Sequence, residues 1–153
     1  MDARFPQPGD PGWEPQSTYW RPIPGTYGFE FGDAMEVRRP DYSYDTCTGE
    51  TRLIGYVYMK HGMNAQGYPT VHIGTRRVAL SQLVAFMAYG RWAEDGEIVR
   101  HLDDVKTNNY AGNLAYGTQR DNIRDSIRNG THSSLRQGAW RRGVKINQRR
   151  RAS

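Results

Sequence analysis

Three side chains in the last third of the sequence have types and spacing suited to chemistry on an oxygen-rich substrate. They are His101, Asn113 twelve residues later, and Asn122 nine residues beyond that. An imidazole with an ordinary pKa of about 6.5 can take a proton from water near neutral pH. A carboxamide oxygen is a hard neutral donor that can ligate Mg²⁺ or Mn²⁺. Taken singly, each has an ordinary structural reading. An isolated histidine is more often a hydrogen-bonded structural residue, and an asparagine at a loop end makes turn hydrogen bonds.

Specific elements would have to position these groups. EIVRHL (97–102) reads as a short strand, DDVKTNNYAG as a polar loop, and NLAYG (113–117) as a returning strand. TQRDNIRDSIRNG (118–130) reads as a helix, with Thr118 as its cap, Asp121 completing an approximate capping box, and Gly130 ending it. His101 falls at the end of the first strand, where its side chain can face the helix. At 3.6 residues per turn, Ile123 and Ile127 share the face expected to be buried. Asn122 and Ser126 flank that face toward the preceding strand, and Arg120, Arg124 and Arg128 flank it on the other side. The arginine stripe has two readings. It contacts a phosphate backbone, or it is a solvated face with Asp121–Arg124 and Asp125–Arg128 pairs, each stabilising by about a few tenths of a kcal/mol.

Upstream, six of the eight prolines precede residue 25, which predicts an irregular or extended start over about 16 residues. Residues 19–37 read as short β elements broken by Gly25, Gly28 and Gly32, and 38–51, polar and containing Pro40, as a connecting loop. RLIGYVYM (52–59) and YPTVHI (68–73) flank HGMNAQG and read as a hairpin with a long turn; this puts His61 in a turn and His72 in a strand. ALSQLVAFMAYG (79–90) changes period: Leu80, Leu83, Val84 and Met87 define a helical stripe that Gly90 stops. The expected architecture is α+β. An irregular Pro-rich segment (1–17) leads into a β-rich module (18–78), a strand–loop–strand–helix unit (79–132) and a basic tail (133–153).

Composition narrows the classes. At 153 residues the chain is about one domain's worth. With 37% hydrophobic and 24% charged residues it is too polar for a membrane protein, and no run approaches the ~18 apolar residues of a spanning helix. Four Trp and ten Tyr are too many for a chain disordered throughout. The opening MDARFPQPGD has no apolar core like that of a signal peptide, so a cytoplasmic location is expected. A single cysteine, Cys47, excludes an internal disulfide and a Cys-rich zinc knuckle. The net charge is +5, yet residues 131–153 carry seven basic side chains and no acidic one, which leaves the rest of the chain at −2. That tail, with Arg141, Arg142 and Lys145 in it, suits a polyanion such as nucleic-acid phosphate, or else serves only to solubilise.

The text RHLDDVKTNNYAGNLAYGTQRDNIRDSIRNGTH (100–132) resembles the HNH nuclease motif, the ββα-metal unit. The closer resemblance is to phage and intron-encoded HNH homing endonucleases, whose motif runs from a His through an Asn-rich loop to NL, an aromatic, T and N. Upstream, WRPIPGTYGFEFGDAMEVRR (20–39) resembles the W-x-x-I-P-G module of such proteins, with Met35 or Glu36 near the usual Gly. GYPTVHI followed by SQLVAFMAYG resembles their GY strand and H-R-L-V helix. The likeness covers about residues 19–132. It implies hydrolysis of DNA phosphodiesters with His101 as general base, Asn122 as ligand of a divalent cation (Mg²⁺ or Mn²⁺), and Asn113 holding the loop and orienting the strand that bears His101. It also implies double-stranded DNA as partner, nicking by a monomer or weak dimer, and neither a membrane nor a small-molecule cofactor.

Three positions depart from the family pattern. Arg100 stands where the family often has a metal-binding Asp or His; it could clamp a phosphate instead, while Asp103 or Asp104 could lend a carboxylate. Ser81 occupies the His of the H-R-L-V helix. Asp104 replaces the turn Gly, tolerable because Asp can enter the left-handed region. His61 and His72 lack a second ligand at metal spacing, His132 near the tail could contact phosphate when protonated, and Tyr19, Trp20, Tyr56, Tyr58 and Trp92 suit packing better than base stacking. The rival reading is a DNA-binding protein that kept the scaffold without cleavage, a regulator or packaging accessory. An RNA-binding reading rests on the tail alone, since no RNP-like word or GXXG clamp is present.

Overall fold

The computed structural model describes residues 7–134 of the chain. Residues 7–16 contain turns and no strand or helix, as their proline density predicts. Strands β1 (Trp20–Pro22), β2 (Glu30–Gly32), β3 (Val37–Tyr44) and β4 (Thr51–Tyr58) then form an antiparallel sheet in that order. The segment expected as a loop is therefore mostly strand. Pro40 is tolerated because β2 pairs only with Val37 and Arg38, so β3 has an edge beside the proline while Pro40 lies opposite Tyr56 of β4.

The expected pairing of 52–59 with 68–73 does not form. Strands β5 (His61–Met63), β6 (Pro69–Ile73) and β7 (Arg76–Ala79) make their own antiparallel sheet, and β4 pairs with β3. The turn chemistry explains this: Asn64 Oδ1 accepts hydrogen bonds from Gln66 N (3.0 Å) and Tyr68 N (2.9 Å), folding the Asn/Gly stretch into a tight β5–β6 hairpin. His61 accordingly begins a strand instead of lying in a turn.

Helix α1 (Leu80–Tyr89) buries Leu80, Leu83, Val84 and Ala85 and ends at Gly90, whose φ of 70° lets its N–H reach Phe86 O. Strands β8 (Ile98–His101) and β9 (Leu114–Gly117) pair antiparallel, with a 3-10 turn (Ala111–Asn113) leading into β9. Helix α2 (Gln119–Arg128) follows, and its capping box is complete: Thr118 Oγ1 accepts from Asp121 N and Asp121 Oδ2 from Thr118 N. One cluster of buried side chains joins Ile23, just past β1, and Phe31 and Val37 of the first sheet to Val71 of the second, Leu83 of α1 and Leu114 of β9. Each such burial stabilises by roughly 1.5–3 kcal/mol, so β8 and β9 are anchored to the rest of the protein.

The approach to β8 is fixed by an ionic clasp. Arg91 donates to both carboxylate oxygens of Glu97 (2.6 and 3.1 Å), and Glu94 N donates to one of them. The Arg91 guanidinium holds the Glu97 carboxyl down to about 2. A folded-state value below the unfolded ~4.3 contributes stability above the unfolded value, which is lost as pH falls through the folded one. The unfolding temperature should therefore drop between about pH 5 and pH 2, and less steeply in Glu97→Gln. Parallel curves for the two proteins would contradict the clasp.

Candidate active site at the strand–helix cleft

Strand alternation sends neighbouring β8 side chains to opposite faces, and here it separates Arg100 from His101. His101 lies opposite Leu114 and its side chain lines a cleft of about 400 Å³ with Tyr68, Asp104, Lys106, Asn122 and Ser126. The residue is 5% exposed, and its Nε2 lies 3.0 Å from Oδ1 of Asn109, which is also buried. The Tyr68 ring stands over it at 5.8 Å between centroids, and Lys106 Nζ sits 4.8 Å from that tyrosine ring.

The loop between the strands is tied from within. Asn113 Nδ2 donates to Asp103 Oδ1 (2.8 Å) and Asn108 O (2.9 Å), and its Oδ1 accepts from Asp103 N. Although burial pushes the Asp103 carboxyl up, hydrogen bonds from Asn108, Val105 N and Asn113 outweigh it and hold the group below its ordinary value. Asp103 is thus spent on the loop. Asp104 takes the left-handed conformation (φ 58°) and turns its carboxylate to α2, accepting from Ser126 Oγ (3.1 Å), Asn129 Nδ2 (3.3 Å) and Thr131 Oγ1.

Arg100 is engaged internally. Its guanidinium is ion-paired with buried Asp125 of α2 and donates to Tyr116 O, and its side chain is 15% exposed. The expected phosphate clamp is instead a tie between β8 and α2. Among the described residues, Arg100 Nε is the one buried side-chain nitrogen or oxygen with no hydrogen-bond partner. This tie also overturns the predicted helix orientation. Ile123 (39%) and Ile127 (48%) are exposed, while Asp125 (5%) is buried. The face that periodicity selects loses because Arg100 draws Asp125 inward, and Asn122 and Ser126 come with it to the cleft wall. Of the arginine stripe, Arg124 pairs with Asp121 (3.4 Å) and Arg128 with Asp125 (3.0 Å), while Arg120 is exposed with no such pair among the described residues. Arg141, Arg142 and Lys145 lie outside the described residues.

The sequence reading missed Asn109, Tyr68 and Lys106. The Asn108–Asn109 dipeptide was visible, but nothing local distinguishes the asparagine that stays in the loop from the one that turns to His101.

A hard divalent cation usually takes one or two protein oxygens and completes its shell with water and substrate phosphate. The cleft fits that demand in kind: Asn122 offers an amide oxygen, and Asp104 is the carboxylate among its lining residues. Among the described residues no three His, Cys, Asp or Glu side chains gather into a fuller cage.

The family model described as HNH endonuclease matches residues 78–124, a segment that runs from the end of β7 through α1, β8 and β9 into α2. Among solved structures, one described as "DNA binding and cleavage by the HNH homing endonuclease I-HmuI" is similar, with a TM-score of 0.53 at 24% identity; the match covers 82% of this chain and 68% of that one. No curated protein matches the chain. Residues 78–124 are thus similar to the HNH endonuclease family. Over the matched part of the chain the fold is that of an HNH homing endonuclease.

Proposed function

We propose that the chain is a divalent-cation-dependent endonuclease that nicks double-stranded DNA. The observation that carries this reading is the convergence of His101 and Asn122, from neighbouring strand and helix, on one cleft whose polar lining includes Asp104, Lys106 and Ser126. His101 is the general base. It takes a proton from water, the water oxygen forms a bond to phosphorus, and the P–O bond to the leaving sugar oxygen breaks, that oxygen taking a proton from solvent. Asn122, with Asp104 beside it, would hold Mg²⁺ or Mn²⁺, which supplies charge stabilisation to the phosphate. Asn113 acts on the loop, keeping its path fixed relative to β8. One such cleft addresses one strand at a time, so a monomer nicks.

DNA contacts are assigned to the exposed Arg120 and Arg124, to Arg128, and to Arg141, Arg142 and Lys145 of the tail. The projecting β3–β4 hairpin, with Tyr42, Tyr44 and Arg52 in solvent, adds a second surface. Among the described residues no helix is long and apolar enough to cross a membrane.

The test is a supercoiled plasmid incubated with pure protein and Mg²⁺ or Mn²⁺. Relaxed circles that vanish with chelator support the reading. An intact plasmid alongside retained gel retardation supports the rival, a DNA-binding protein without cleavage, which the placement of Arg100 against Asp125 favours. Removing residues 133–153 should flatten the dependence of log K on log salt by about 0.9 for each phosphate that the tail neutralises. An unchanged slope would dismiss the tail from binding.

A further inference from the structure

The buried histidine of the cleft has two ring nitrogens, and only one can act as a base in any neutral tautomer. Nε2 is 3.0 Å from Asn109 Oδ1. Nδ1 has no hydrogen-bond partner among the described residues. It is also not a sealed atom, because the one buried and unpartnered side-chain nitrogen or oxygen among those residues is Arg100 Nε. Nδ1 therefore meets solvent although the residue as a whole is 5% exposed, and the space that His101 borders is the cleft shared with Asn122.

We propose that Asn109 is the positioning residue for His101: its carboxamide oxygen accepts from Nε2–H and thereby fixes the tautomer whose Nδ1 lone pair opens on the cleft. The proposal deepens the hydrolytic reading and rests on it for the purpose of the lone pair, but the tautomer itself stands apart from activity. A carbonyl oxygen has no proton to give, so the ring nitrogen facing it must carry one. Burial strengthens the preference. Asn109 is 4% exposed, and a lone pair set against its oxygen in that dry setting would leave two acceptors unpaired. Asn109 is held for the task by the loop: its N–H reaches Thr107 O (3.1 Å), and the neighbouring Asn108 is bonded to Asp103 and Asn113. Asn113 thus acts on His101 through Asn109 as well as through the strand.

The experiment is ¹⁵N NMR of histidine-labelled full-length protein at a pH where the ring is neutral, with His101→Gln used to assign the His101 signals. The expected spectrum has a protonated Nε2 and an unprotonated Nδ1. Asn109→Asp keeps an oxygen acceptor and should preserve that pattern. Asn109→Leu, similar in size with no acceptor, should mix the tautomers and lower nicking by about 10–100-fold, with a larger effect on kcat than on KM and with recovery in Asn109→Asp. A wild-type Nδ1–H tautomer overturns the proposal, since the Asn109 amide would then be donating. An unchanged tautomer and rate in a folded Asn109→Leu also overturns it. If Asn109→Leu does not fold, the wild-type and Asn109→Asp spectra decide. An Asn109-dependent Nε2–H tautomer in a protein that fails to nick DNA upholds the assignment and sinks the nuclease reading instead.

Discussion

His101→Ala still retards duplex DNA in a gel and no longer nicks a supercoiled plasmid: that is the outcome expected if the imidazole is the base. Positioned general-base catalysis contributes about 10²–10⁴-fold, which takes a slow nick below detection. Binding survives because the phosphate contacts are assigned to the basic tail and to Arg120, Arg124 and Arg128, and none of these three bonds to the His101 side chain. The ring is buried, so its removal leaves a small void. The core cluster from Ile23 to Leu114 does not include His101, and the variant should remain folded. Circular dichroism and gel retardation establish that the variant is intact before its activity is compared. Undiminished nicking would remove His101 from the mechanism.

Asp125→Ala unfolds at markedly lower urea than the parent protein, with a destabilisation of about 3–5 kcal/mol expected from stripping the partner of a buried charge. The Arg100 side chain is 15% exposed, its guanidinium already has one nitrogen without a partner among the described residues, and it would be left without its carboxylate. Against a typical total stability of about 5–15 kcal/mol this is a large fraction. Replacing both partners, Arg100→Met with Asp125→Leu, removes the stranded charge and should recover most of the stability. The double variant also reports on function, because α2 carries Asn122 and is held to β8 by that ion pair. A single-variant effect below about 1 kcal/mol would mean that water reaches Arg100 and the tie is a surface pair.

Much of the path to this site was legible in the linear text. The strand–loop–strand–helix order, the Thr118–Asp121 cap and the Gly90 stop follow from near-neighbour rules, the left-handed Asp104 from the family's turn glycine, and all are present in the fold. Such features depend on a residue and its neighbours within a turn or two, which is information the sequence holds in full. The same holds for the charge asymmetry and for the spacing of His101, Asn113 and Asn122.

Pairing, facing and partner choice were not legible in the same way. The Asn64 turn closed β5 on β6 and left β4 to β3, so a hairpin that composition allowed did not form. One ion pair, Arg100 with Asp125, turned α2 so that its isoleucines face solvent and Asn122 meets the cleft. The sequence by itself determined the strand–loop–strand–helix order of the site and its caps, because propensity, capping and turn preference act locally. The tertiary structure alone decided which face of α2 is buried, which strand meets which, and that Asn109 finds His101. Those outcomes are set by desolvation and hydrogen-bond satisfaction among groups that meet only in the folded chain.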